Sequence, residues 1–274
     1  GSNHRAAAAY VRGFDPTRPL HYEGAIRGNW TANFDLSDVV CPMYPAIGAI
    51  ENYAKAIKSG KRKTETSRPL IMCEYTHAMG NSNGTLKEYW DVIHKYKGLQ
   101  GGFIWEMWDH GLDQTLPDGT KRSAYGGNYG EKKHDGNFVC DGMFFPDRTP
   151  KPAMAEFKYL AAPVFINRKG AKTSAKFEIF NKFFFKDLSG YKLRYEVTVN
   201  GAIVHRGNLK LPAVKPRKSV MVSVPAKELT GKLLGERFIT FYLEEKNGHE
   251  VAWEQIALAS KSLPKPKPAK AKRD

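Results

Sequence analysis

Glu74 ends an apolar run, Leu70-Ile71-Met72, and is followed by Tyr75, His77, Asn81 and Ser82 in the segment RPLIMCEYTHAMGNSNG at 68–84. A short apolar run bounded by breakers reads as a buried parallel strand. A polar cluster at the C-terminal end of such a strand is where β/α barrels place their chemistry. A carboxylate there can attack an electrophilic carbon, ligate a metal, or merely accept hydrogen bonds and pair with an arginine. Tyr44 follows Pro42-Met43 at the end of an earlier run. A phenol near a carboxylate can orient it and help protonate it as a leaving group; alone, a tyrosine more often packs in a core with its hydroxyl satisfied. The His77 imidazole can donate and accept at once, although a lone histidine is more often structural. Trp105 ends the run Gly-Gly-Phe-Ile-Trp and offers either a flat apolar platform or a core side chain. Trp108 and Asp109, just beyond it, can shape a pocket or close a core.

Those side chains need a rigid scaffold to hold them. Helices are predicted over 5–12, 47–59 (stopped by Gly60), 85–96 and 151–160, from apolar residues at helical spacing. Strands are predicted at Leu20–Gly24, Asp38–Tyr44, Leu70–Glu74 and Gly102–Trp105. The alternation of strand and helix is that of βαβ units. A Gly- and Asp-rich loop is expected from 110 to 150. From about Pro163 the pattern changes to short strands at 174–180, 192–199, 202–206, 219–224, 237–244 and 252–257, with no helical pattern. Asn200-Gly201 between two of them is a strong hairpin signal. Regularly spaced strands over about 100 residues argue for an antiparallel sandwich of immunoglobulin-like size. The end, LPKPKPAKAKRD, alternates Pro or Ala with Lys and reads as an extended tail.

The formal net charge of +15 suggests a polyanion partner until it is divided along the chain. Residues 1–160 carry 20 basic and 18 acidic side chains, residues 161–260 carry 17 and 9, and the last 14 residues carry 6 and 1. The basicity avoids the part that holds the candidate chemistry, and no nucleic-acid motif accompanies it. A specific nucleic-acid function is therefore not expected; a polyanion-binding module using the C-terminal half would bind with strong salt dependence. Three cysteines, Cys41, Cys73 and Cys140, are too few for a disulfide framework and are not spaced as zinc ligands, so buried free thiols are expected. No segment approaches the length of a membrane span, and the first residues are not a charged head with an apolar stretch behind it, so no membrane partner is expected.

With GGFIWEMWDHGL at 101–112 and DGMFFPDRTPKP at 141–152, the 68–84 segment resembles the LacZ-type β-galactosidases of glycoside hydrolase family 2, along nearly the whole chain. The resemblance implies an α/β plus all-β chain: the second half of a (β/α)8 TIM barrel at 1–161, an immunoglobulin-like β-sandwich at 162–260 and a flexible tail at 261–274. It makes Glu74 the nucleophile of retaining hydrolysis and places Tyr44 beside it. It makes His77 a ligand of sugar hydroxyls in the −1 subsite and Trp105 the floor of the galactose site. It implies a sodium ion held by the Phe138 carbonyl and by a side-chain oxygen at 141, where the family typically has Asn and this chain has Asp. Asp still offers oxygen to a hard cation and adds a negative charge. The family's GNESG-like acid/base motif and its magnesium ligands are missing from this sequence. The implied partners are a β-galactoside such as lactose and the remainder of the same enzyme, which would be a homo-oligomer, in cytoplasm or periplasm. β-Glucuronidases and β-mannosidases fit the two central motifs less well. The rival expectation is a non-catalytic carbohydrate-binding or structural fragment. Half a barrel exposes two sheet edges, so the isolated chain is expected to self-associate or lack stability, and to turn over galactosides negligibly.

Overall fold

The computed structural model describes residues 1–59, 67–230 and 234–259. Gly60 and the 261–274 tail lie outside them. The chain divides into two compact units, one ending at Leu160 and the other beginning at Ala161.

In the first unit, helix α1 (Ser2–Phe14) is held by Arg12, whose guanidinium meets both oxygens of Asp38 at 2.9 and 3.1 Å. Burial works against the Asp38 charge, but the Arg12 guanidinium and the Leu20 N–H together hold its carboxyl below the usual carboxylate range. Helix α2 (Ile47–Lys58) buries Ile50, Tyr53 and Ala54, the spacing that one helical face requires. Strand β1 (Leu70–Tyr75) follows, then helix α3 (Leu86–Lys95) and strand β2 (Leu99–Ile104). Strands β1 and β2 pair in parallel, and Val40 and Met43 add parallel bridges to Leu70 and Glu74 on the other side of β1. The α2 and α3 faces close over this sheet around fully buried Val40, Ile50, Leu70, Met72 and Leu86. Gly102 is needed in β2, because a Cβ there would come within 2.8 Å of the Met72 side chain.

Beyond β2, strands β3 (Leu112–Thr115) and β4 (Lys121–Ala124) form an antiparallel hairpin, and helix α4 (Pro152–Leu160) ends the unit. The hairpin lies inside the segment expected to be loop. Its turn, Leu-Pro-Asp-Gly-Thr, has Gly119 at φ +85°, so its signal was in the sequence. Leu20–Gly24 is not a strand. The Leu20 and Tyr22 N–H groups are taken by Asp38 and Ser37 side chains, which removes the donors a ladder would use, and Glu23–Ala25 is a 3-10 turn. Asp38–Tyr44 makes only the two isolated bridges, since Pro42 has no N–H and Tyr44 turns away at φ +47°.

Among the described residues, the second unit contains two antiparallel sheets. One has the order β5-β6-β9, from Val164–Arg168, Lys176–Asn181 and Ser219–Ser223. The other has the order β11-β10-β7-β8, from β7 (Tyr191–Val199), β8 (Ala202–Leu209), β10 (Arg237–Glu245) and β11 (Glu250–Ala257). Strand β7 alternates buried residues with exposed or half-buried ones along its length. Phe177 and Ile179 from the first sheet and Val197, Ile239 and Phe241 from the second enter one core, all at 0% exposure. Val199 pairs with Ala202 across Asn200 (φ +50°) and Gly201 (φ +83°), the signs of a type I′ turn. A short helix, α5 (Ala226–Leu229), and strand β5 are additions to the sequence reading. Among the described residues no helix is long and apolar enough to cross a membrane.

Candidate active site

The parallel ladder brings three strand ends side by side. The Tyr44 N–H donates to the Glu74 carbonyl at 2.9 Å, the Trp105 N–H to the Tyr75 carbonyl at 3.2 Å, and the Ala78 N–H to the Trp105 carbonyl at 2.7 Å. Tyr44 (φ +47°) and Thr76 (φ +53°), on either side of the Glu74 strand end, both adopt left-handed backbone without being glycine. Such conformations cost on the order of 1–2 kcal/mol each and concentrate at functional sites.

Glu74 is half-buried. Among the described residues its carboxylate meets the Tyr44 phenol, not an arginine. Burial, then the hydrogen bond to Glu74 and the charges of Glu74 and Asp141, push the Tyr44 phenol well above its usual range. Tyr44 therefore keeps its proton and faces Glu74 as a neutral phenol able to donate to it.

His77 follows around the turn. Its ring centroid lies 6.0 Å from that of Tyr44 and 5.7 Å from that of Phe138. Its Nε2 is 3.5 Å from Asp141 Oδ2, and its Nδ1 accepts the Met79 N–H at 3.4 Å. The Trp105 indole Nε1–H donates to the same Asp141 oxygen at 3.0 Å. Asp141 reaches this position because the chain crosses over the strand-end loop at Gly142, where a Cβ would lie 2.1 Å from Trp108 backbone atoms. The Glu106 N–H donates to the Asp141 carbonyl and the Met143 N–H to the Glu106 carbonyl, at 2.7 and 2.9 Å. The structure thus gathers Tyr44, Glu74, His77, Trp105, Phe138 and Asp141 in one place. Trp105 and Phe138 are 39% and 60% exposed, so apolar ring faces are open to a ligand.

Two neighbours went unread in the sequence, Glu106 and His110. His110 Nε2 lies 3.0 Å from Glu106 Oε1, and Glu106 meets the Asp141 carboxyl. Burial, followed by the contact with Asp141, pushes the Glu106 carboxyl up, while His110 opposes this. The available signal was an acid directly after the strand-end Trp, four residues before a histidine. Asp109 has a structural place: it is buried, and its Oδ1 accepts from Lys151 Nζ at 2.7 Å and from the Gly142 N–H at 2.8 Å. Trp108 carries the Arg148 guanidinium over its ring at 5.6 Å.

Asp141 is 2% exposed, and its Oδ1 has no hydrogen-bond partner. An unmatched buried carboxylate oxygen suits a hard cation. Among the described residues no group of three or more His, Cys, Asp or Glu side chains could hold a metal. The cysteines are free, with Cys41 buried and Cys73 and Cys140 only half-buried.

Residues 1–166 match the family model of the glycosyl hydrolases family 2 TIM barrel domain, and residues 177–259 that of β-galactosidase domain 4. A β-galactosidase of Photobacterium profundum is 38% identical over 77% of this chain and 20% of its own length. Those of Klebsiella pneumoniae and Oenococcus oeni are 34% and 36% identical over 97% and 96% of this chain, and 26% of their own lengths. The chain spans about a quarter of the length of these relatives.

Proposed function

The chain belongs to glycoside hydrolase family 2, and from there we propose that it carries the nucleophile half of a retaining β-galactosidase site. The observation that carries this reading is the Glu74 carboxylate at a parallel strand end, met by a neutral Tyr44 phenol beside a partly open indole. A Glu74 oxygen bonds to the anomeric carbon of a β-galactoside as the glycosidic C–O bond breaks and the leaving oxygen takes a proton from an acid. Water then attacks the glycosyl ester, returns a proton to the same group, and Glu74 leaves as a carboxylate. The Tyr44 hydrogen bond steadies Glu74 before attack and favours its departure. His77 bonds the sugar hydroxyls, and Trp105 packs against the C–H face of the ring.

The acid/base carboxyl belongs to the family's GNESG-like segment, which this sequence does not contain, and it comes from the remainder of the same enzyme. The first unit is then the second half of a barrel and the second unit an immunoglobulin-like sandwich. Asp141, with the Phe138 carbonyl, would hold a sodium ion, which supplies positive charge toward a sugar hydroxyl. Magnesium would bind outside this chain. The parent enzyme would be a homo-oligomer acting on galactosides such as lactose.

The test is mixing. The purified chain is combined with a polypeptide supplying the rest of a relative's length, and release from a chromogenic galactoside is followed. Activity in the mixture and not in either part supports the proposal. A mixture that binds galactose but hydrolyses nothing supports a non-catalytic sugar-binding module instead.

A further inference from the structure

Asp141 stands where two side chains of the site converge. Its Oδ2 accepts the Trp105 indole N–H at 3.0 Å and lies 3.5 Å from His77 Nε2. His77 Nδ1 accepts the Met79 N–H, so a neutral imidazole carries its proton on Nε2, the nitrogen 3.5 Å from the same oxygen. Asp141 is itself immobilised: it is buried to 2% exposure, and its carbonyl accepts the Glu106 N–H one residue beyond Trp105. Gly142 fixes the crossing that presents it. An indole stacked under a sugar can swing about its side-chain torsions, and an imidazole can turn over. A common anchor removes both freedoms together. Bonds to an ionised acceptor are about twice as strong as neutral ones.

We propose that Asp141 is a positioning residue, in which one carboxylate oxygen holds the Trp105 indole and the His77 imidazole at a fixed mutual orientation. Ring stacking and hydroxyl recognition are thereby set by one protein group. The role assigned rests on the reading of this site as one for a galactoside, but its physical content does not depend on turnover.

Hydrogen exchange of the Trp105 indole N–H tests it, measured by NMR on the intact 274-residue chain and assigned by difference against Trp105→Phe. The wild-type proton is expected to exchange at least about tenfold more slowly than an exposed indole, as one maintained hydrogen bond to a charged group requires. Asp141→Asn keeps an acceptor oxygen and most of the protection; Asp141→Leu loses it. Free-indole exchange in a wild-type chain whose dispersed amide signals show it folded overturns the proposal, and so does full protection in a folded Asp141→Leu. In the reunited enzyme, Asp141→Leu is expected to raise KM more than it lowers kcat, and Asp141→Asn to restore most of the difference; a loss confined to kcat contradicts a positioning role. Failure of the exchange measurement leaves the Glu74 chemistry standing, and a chemically inert Glu74 leaves the Asp141 anchor standing.

Discussion

At the scale of single residues, the site is governed by which groups keep their protons. Glu74 has a neutral donor at its side, and the phenol that donates is held protonated by burial and by the carboxylate it serves. A tyrosine whose pKa is raised gives up its proton only at higher pH. Ultraviolet titration of the chain and of Tyr44→Phe should therefore differ by one phenolate appearing above the ordinary tyrosine range, near 10. A difference already complete below that range would contradict the contact. In the reunited enzyme Tyr44→Phe should cost on the order of a hundredfold in turnover, the lower end of what a positioned proton donor supplies. Glu74, His77, Trp105 and Asp141 were singled out because they sit in long motifs, Tyr44 and Phe138 through the family resemblance, and the structure brings all six together. Glu106 and His110 were not, because the contact of Glu106 with Asp141, and of His110 with Glu106, depends on how the 106–110 and 141–144 segments run together.

At the scale of elements, stability is tied to charges at the joints. Glu51 on α2 takes Lys55 of its own helix, and both Lys95 and the Tyr96 hydroxyl near the end of α3. The Lys95, Lys55 and Tyr96 contacts hold its carboxyl down to about 2. A lowered carboxylate pKa stabilises the fold above the ordinary glutamate value and is lost as pH falls toward the lowered one. The melting temperatures of wild type and Glu51→Gln should thus differ at neutral pH and converge between about pH 4 and 2; a gap that does not vary with pH would rule the tie out. Lys182, just past β6, runs the other way: burial, with Arg217 nearby, pushes it down to about 8. Its charge opposes folding most below that value. Lys182→Met should therefore raise the melting temperature at pH 7, with the gain fading between about pH 8 and 10.5. In the core between the two sheets, Phe241→Ala should cost about 3–5 kcal/mol in urea unfolding, since Phe241 is fully buried against Phe177 at 4.7 Å. Local chemistry announced the Asn200-Gly201 hairpin, which needs only two positive φ angles. It failed at Leu20–Gly24, where side chains distant in sequence captured the backbone donors. It also failed to resolve the hairpin within 110–150, whose Asp-Gly turn was submerged in a Gly- and Asp-rich stretch.

At the scale of the whole molecule, the chain is a barrel segment followed by a β-rich unit, spanning about a quarter of the relatives it matches. Among the described residues the parallel sheet consists of β1, β2 and two flanking bridges. Its outer strand carries Phe103 at 62% exposure, with Met107 at 67% just beyond. Unpaired strands with exposed apolar side chains associate. The purified chain should sediment as a concentration-dependent mixture and show negligible galactoside turnover; a strictly monomeric species with measurable hydrolysis would refute both halves of that expectation. The change from a mixed helix-and-strand part to a β-rich part was readable from hydrophobic period alone, because helical spacing largely stops near Pro163 and alternation takes over. What composition suggested at this scale was misleading: the positive charge is a property of the second unit and the tail, and it says nothing about the chemistry of the first. The central claim remains covalent. A 2-deoxy-2-fluoro galactoside, incubated with the reunited enzyme and followed by peptide mass spectrometry, should leave one glycosyl group on the peptide containing Glu74, and none when Glu74→Gln is used. An adduct on Glu106 or Asp141, or full hydrolytic activity in Glu74→Gln, would contradict it.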